Sequence, residues 1–178
     1  MGLFDIFKGD TGEITPHFAF VTSLIYMIGA DGKVENEEVG QLLAVLGGDD
    51  SDGAIGVGAQ NQQLLDRAFR YQQNTPVDTF LTEVTPILTD AQKMCILTNI
   101  LDSSLSDGNA APEEQTLFGK FLQEFGISEE RFKPFFDVLV LKNDRTVFTK
   151  TDHPSNQPGH TVQLKLSFFE RESNLTGF

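Results

Sequence analysis

The sequence is poor in several residue types on which whole classes of functional site depend. It has no tryptophan, three histidines and one cysteine among 178 residues. With a single thiol, Cys95, the chain cannot form a disulfide within itself or build a metal site from several cysteines. Cys95 lies in an apolar helical pattern, which predicts an inert thiol in the core rather than a nucleophile.

Basic residues are also scarce. Lysine and arginine total 13 against 26 acidic residues, which gives a formal net charge of -13 and a pI near 4.5. Such a surface repels phosphate backbones, so we expect no nucleic-acid partner. It favours cations or basic protein surfaces as partners, although solubility alone would account for the acidity equally well.

Long apolar runs are missing as well. No segment approaches the roughly 18 consecutive apolar residues of a membrane-spanning helix, so we expect no integral membrane segment. The N-terminus is too short and too acidic for a secretory signal, and the location expected is the cytoplasm. The start of the chain has four apolar residues, Leu3, Phe4, Ile6 and Phe7. The sequence leaves three contacts open for them: the protein's own core, a protein partner, or the inner face of the membrane.

What the sequence does contain is apolar residues at helical spacing. The first helix is predicted to begin at Pro16, after the capping residue Thr15, and to end at Gly29. A second helix from about Asn36 has Leu42 on its apolar face. Two further helices are predicted at Gln63–Gln73 and Val77–Leu88. A capping box of Thr89 and Gln92 opens the next one, and another runs from Pro112 to Gly126. Ser128 caps the last helix, whose inward residues are predicted to be Phe132, Phe135, Phe136 and Leu139.

Two segments break this helical pattern. Residues 47–60 are rich in glycine and aspartate, and we interpret them as a flexible loop. An EF-hand that started at Asp50 would need Gly and Glu where the chain has Ile55 and Asn61, so the loop does not match a calcium-binding EF-hand.

After Leu141 the apolar spacing changes to the period of a strand. Arg145–Thr149 is interpreted as the partner strand of a short hairpin, which is marginally stable alone. This tail is therefore expected to dock on the helices, to pair with another chain, or to be partly disordered. The alternating apolar positions are Val162, Leu164, Leu166 and Phe168.

The clearest internal pattern is a duplicated turn. Asp107-Gly108 follows Asp31-Gly32 by 76 positions, and no gap is needed to align their surroundings. The same offset pairs Glu37 with Glu113, Glu38 with Glu114, Leu42 with Phe118, Val45 with Phe121 and Leu46 with Leu122. The sequence therefore predicts an all-α, pseudo-symmetric multi-helix bundle built from a duplicated helix–loop–helix unit. An N-terminal segment (1–14) would precede the helical domain (15–141), and an extension (142–178) with a short β-hairpin would follow it.

At these two turns the chain resembles the TerB-like family, the tellurite-resistance protein TerB and its relatives. The resemblance covers residues 15–141 and rests on Ile28-Gly29-Ala30-Asp31-Gly32-Lys33-Val34 with Glu38, and on Leu105-Ser106-Asp107-Gly108 with Glu114. It implies an all-helical protein of metal and oxyanion stress with no established enzymatic activity. It also implies that acidic residues at the loops bind divalent cations.

The resemblance assigns this metal-binding role to four residues. The cofactor it suggests is a divalent cation such as calcium or magnesium, which prefers several oxygen ligands. The chain departs from the family in its long glycine-rich loop and its C-terminal extension, and Ala111 stands where the first copy has Glu35. The two sites should therefore be unequal. The four residues are Asp31, Glu38, Asp107 and Glu114.

A purely structural explanation of the same residues stays open. An aspartate in an Asp-Gly turn bonds its own backbone. Glutamates in the first turn of a helix complement the helix dipole by roughly 0.3–1 kcal/mol each, without any metal. This explanation covers Glu37, Glu38, Glu113 and Glu114.

Catalysis is not expected. The histidines are His17, His153 and His160, and two of them lie in the C-terminal extension. No nucleotide-binding or nucleophile motif accompanies them. The function expected is that of a non-catalytic TerB-like binding protein. The alternative is a protein-interaction adaptor at the cytoplasmic face of the membrane, with no ion site.

Overall fold

The computed structural model describes residues 12–30, 32, 42, 61–105 and 110–159, and this part of the chain is helical with no β-strand. The predicted all-α class is confirmed. None of the described helices is long and apolar enough to cross a bilayer. The α-helices are α1 (Pro16–Ile28), α2 (Asn61–Asn74), α3 (Val77–Val84), α4 (Asp90–Ser104), α5 (Pro112–Phe125), α6 (Glu129–Asn143) and α7 (Thr146–Thr149), with 3-10 turns at Thr85–Ile87 and Pro154–Asn156.

Local capping interactions set the ends of these helices, as predicted. The Thr15 hydroxyl accepts the Phe18 N–H at 3.2 Å at the start of α1. At the start of α4, Thr89 and Gln92 form the predicted capping box, with the Thr89 N–H donating to Gln92 Oε1 at 2.8 Å. Gly126 ends α5 in the left-handed conformation, with φ of 66°. Each such cap typically stabilises a helix by about 1 kcal/mol.

Helix α1 lies at the centre of the fold. Its residues from Phe18 to Ile28 are all buried, which agrees with a helix that is apolar on nearly every side. It packs against α2, α3, α4 and α5, while α4 also packs against α5 and α6. Phe80 on α3 is fully buried and joins these layers, with its ring centroid 5.0 Å from that of Tyr26 and 6.4 Å from that of Phe121.

Three predictions, two of side-chain burial and one of helix length, were wrong. Cys95 is exposed rather than buried, because the core-facing residues of α4 are its neighbours Ile96 and Leu97. Phe135 is 45% exposed and not part of the core. The helix predicted from Val77 to Leu88 changes to a 3-10 turn after Val84, where Pro86 removes a backbone donor.

The predicted strand at Arg145–Thr149 was also wrong, since the chain forms helix α7 there. The Asp144 carboxylate accepts the Thr146 N–H at 3.0 Å and the Thr146 hydroxyl at 2.6 Å. These hydrogen bonds also hold the pKa of Asp144 below its usual range. A side chain that captures the amide two residues ahead favours a turn over a strand. The other half of the predicted hairpin, residues 162–168, lies outside the described residues.

Candidate functional site

Only one of the four predicted metal ligands lies in the described part of the chain. Asp31, Glu38 and Asp107 lie outside it, as does the glycine-rich loop at residues 47–60. Glu114 stands in the first turn of α5, where its Oε2 accepts the Ala111 N–H at 2.6 Å. The sequence left open a helix-dipole role for Glu114 beside metal binding, and this capping hydrogen bond is a further role that it did not predict.

The turn after α1 is well defined at its two described ends. Ala30 donates its N–H to the Met27 carbonyl at 3.1 Å, and Gly32 donates to the Gly29 carbonyl at 3.1 Å. Gly32 has a φ of 81°, which is favourable for glycine and strained for other residues. The predicted turn at Gly32 is confirmed.

The helices that precede the two Asp-Gly pairs end in the same way. Gly29 donates its N–H to the carbonyls of Ile25 and Met27, and Leu105 donates to those of Leu101 and Ser103. Their φ and ψ angles are also close, -87° and 12° for Gly29 and -96° and 1° for Leu105. All three pairs of equivalent positions are separated by the offset of 76.

The segments that follow the two Asp-Gly pairs can be compared at one pair of equivalent positions, Leu42 and Phe118. Leu42 is helical and 2% exposed, and its counterpart Phe118 on α5 is also 2% exposed. Both positions thus lie in the core, as the aligned apolar faces predicted.

A groove lies where the end of α1 meets the first half of α5. We call it the α1–α5 groove, and its volume is about 350 Å³. Gly29 and Ala30 line it from α1, directly before Asp31 in the chain, and Gln72 lines it from α2. From α5 it is lined by Glu113, Thr116 and Lys120 among others. The end of α1 therefore meets the start of α5 at this groove.

Charges of both signs lie around this groove. The C-terminal end of α1 carries the negative end of a helix dipole and the N-terminal end of α5 the positive end of another, and Glu113 adds an exposed carboxylate. The one lysine of the lining, Lys120, is paired with Asp78, whose two carboxylate oxygens lie 2.8 and 3.1 Å from its Nζ. Asp78 thus offsets the positive charge on this wall.

Tyr26 forms a rigid part of the groove wall. Its hydroxyl donates to the Thr75 carbonyl at 2.7 Å, and burial, followed by the nearby Tyr71 and Glu83, raises its pKa above the usual value. Burial, together with a hydrogen bond to Glu83, raises the pKa of Tyr71 to about 12. Both phenols are therefore neutral at physiological pH, and Tyr26 would not serve as an anionic ligand.

The groove does not hold a complete cation site from described residues alone. No cluster of three or more histidine, cysteine, aspartate or glutamate side chains suited to a metal occurs within the described ranges. A cation bound there would therefore need ligands from the first Asp-Gly loop. The sequence did not predict the participation of Tyr26, Gln72 or Lys120, because only tertiary packing brings α2 and α5 to the end of α1.

A second, smaller cavity lies between the start of α1 and α4. Its volume is about 170 Å³, and its lining is mainly apolar, with His17 and Cys95 at its wall. The Asn99 side-chain amide lies 3.6 Å from Cys95 Sγ, within reach of a weak hydrogen bond. Nothing in this lining adds carboxylates to the predicted metal site.

Comparison of the chain with protein-family models, with curated proteins and with solved structures gives no match. The likeness to the TerB-like family therefore rests on the residues at the two Asp-Gly turns.

Proposed function

We propose that this chain is a non-catalytic TerB-like binding protein of a metal or oxyanion (tellurite) stress response, which binds a divalent cation such as calcium or magnesium at its Asp-Gly loops. The observation that carries the proposal is the match between the helix ends at Gly29 and Leu105, at the same offset as the two Asp-Gly pairs. This match supports a duplicated, pseudo-symmetric unit and not two unrelated turns.

The two sites are proposed to be unequal, with the stronger one at Asp31 and Glu38. The first loop starts at the α1–α5 groove, where the negative end of the α1 dipole and the Glu113 carboxylate support a cation, against the opposing N-terminal end of α5. In the second copy, Glu114 already accepts a backbone hydrogen bond from Ala111. A metal at Asp107 and Glu114 would compete with that cap.

Millimolar calcium or magnesium is expected to raise the melting temperature of the full chain. Loop sites of few carboxylates bind calcium with dissociation constants of about 0.1–1 mM. A site with a constant of ~1 mM gains about 1.4 kcal/mol of folding stability at ~10 mM cation. For a domain of this size that corresponds to a rise of roughly 3–6 °C, which differential scanning calorimetry would measure.

Asparagine variants provide the matched controls for this titration. Asp31→Asn should remove most of the rise and Asp107→Asn a smaller part, because the two sites are unequal. Potassium at equal ionic strength controls for charge screening of the acidic surface. An unchanged melting temperature in wild type, or an equal rise in the Asp31→Asn/Asp107→Asn double variant, would contradict the proposal.

An adaptor function, without an ion site, is the second candidate. One observation favours it, an apolar row on the outer side of α6 formed by Phe135, Val138 and Leu141, whose residues are 45%, 65% and 52% exposed. We call it the α6 apolar row. Exposed apolar surface of this kind often marks a contact with a protein or a membrane. The adaptor candidate predicts no effect of divalent cations beyond that of potassium, so the same titration separates the two.

A further inference from the structure

The α6 apolar row is distinct from the side of α6 that faces the core. Phe132, Phe136 and Leu139 are buried against the rest of the fold. The members of the row follow one another at intervals of three residues, a spacing that aligns side chains along a helix surface. Beyond α6, Phe148 on α7 is 92% exposed. Four large apolar side chains are thus between 45% and 92% exposed over a short stretch of a strongly acidic chain.

The end of the described chain lies against α7 and against Asp144, the residue that follows α6. The Asn156 side-chain amide donates to the Val147 carbonyl at 2.8 Å and to the Lys150 carbonyl at 3.2 Å. His153 Nε2 lies 3.5 Å from an Asp144 carboxylate oxygen, directly after α6. The chain therefore folds back on α7 and the end of α6, and residue 160 follows Asn156 by four positions, within about 14 Å.

The sequence that continues from this point has the length and the apolar residues needed to cover the α6 apolar row. Residues 160–178, which lie outside the described residues, could reach at most about 60 Å when extended. The α6 apolar row is only about 9 Å long, so length does not limit the contact. Within the segment, apolar residues alternate with polar ones at Val162, Leu164, Leu166 and Phe168.

We propose that residues 160–178 of the same chain cover the α6 apolar row through these alternate apolar side chains. The driving force is removal of both apolar surfaces from water. Because the segment is tethered near the C-terminal end of α6, its effective concentration at the row exceeds that of any untethered occupant in dilute solution. The proposal does not depend on cation binding. It implies that a partner docking on the row must first displace this segment.

Disulfide trapping in the full chain tests the proposal. In a Cys95→Ser background, Val138→Cys is combined with Leu166→Cys and oxidised mildly, and the products are resolved by non-reducing electrophoresis and mass spectrometry. We expect an intrachain disulfide in the monomer, formed at least about tenfold faster than in the control pair Lys133→Cys with Leu166→Cys. Lys133 is on the same helix and exposed, and its loss removes only a surface ion pair with Asp137.

Two results would overturn the proposal. Equal rates in the two pairs would mean that the segment has no preference for the row. Disulfides formed only between chains would identify a second copy as the occupant. Melting temperatures of the reduced variants, expected to match that of Cys95→Ser alone, exclude misfolding as the reason for a negative result.

Discussion

Replacement of Phe80 by alanine is expected to lower the free energy of unfolding by about 3–5 kcal/mol. Phe80 is fully buried on α3, and its ring packs against those of Tyr26, Tyr71 and Phe121, with centroids 5.0, 6.0 and 6.4 Å away. These partners belong to α1, α2 and α5. Alanine would leave a cavity among three helices that cannot all move inward at once.

Urea denaturation followed by far-UV circular dichroism measures this loss. Phe80→Leu serves as the matched control, because leucine keeps most of the side-chain volume and should cost about 1–2 kcal/mol. Tyrosine fluorescence should also change in the alanine variant, since the chain has two tyrosines and no tryptophan. A loss below about 1 kcal/mol for Phe80→Ala would mean that the helices do not meet around this ring.

Thr22→Val is expected to raise the free energy of unfolding by about 1–3 kcal/mol. Thr22 lies on α1 and is fully buried, and its hydroxyl has no hydrogen-bond partner within the described part of the chain. A buried polar group without a partner loses its bonds to water and gains nothing in return. Valine has nearly the same shape, so the substitution removes the hydroxyl and leaves the packing intact.

The neighbouring residue supplies the control for this prediction. Ser23 is equally buried, but its hydroxyl donates to the Ala19 carbonyl at 2.7 Å. Ser23→Ala should therefore be neutral or destabilising, by up to about 1.5 kcal/mol. The same urea titration measures both variants. A destabilised Thr22→Val protein would show that the Thr22 hydroxyl is satisfied after all, for example by a bound water molecule.

The helix ends could be predicted from the sequence because the interactions that set them are local. Thr15 and Thr89 each bond an amide three residues ahead, and Gly126 adopts a conformation that other residues resist. Such signals lie within a few positions of each other, so no knowledge of the fold is needed to detect them.

Side-chain burial was harder to predict in helices that have more apolar residues than their core-facing side can hold. Cys95 and Phe135 both lie in apolar stretches, and the helical period alone did not show which neighbours would face inward. The strand pattern at residues 145–149 was overridden by the hydrogen bonds of Asp144. Pattern and local side-chain hydrogen bonds compete in short segments, and here the hydrogen bonds prevailed.

The candidate site, too, was only partly predictable from the sequence. The turn at Gly32 could be found from the sequence, while the predicted turn at Asp107-Gly108 lies outside the described residues. The α1–α5 groove could not, because it exists only where α1, α2 and α5 meet. For Glu114 the sequence left a helix-dipole role and metal binding open, and it did not predict the capping hydrogen bond from Ala111.

A calcium titration of the ¹⁵N-labelled full chain, followed by two-dimensional NMR, tests the proposed cation site most directly. The amides of Gly29, Ala30 and Gly32 should shift in a saturable manner below about 10 mM calcium, and those of Ser104 and Leu105 only at higher concentrations. Asp31→Asn should abolish the first set of shifts. No saturable shift at Ala30 and Gly32, or a shift at Leu105 that saturates at a lower calcium concentration than theirs, would contradict a cation site at the first Asp-Gly loop.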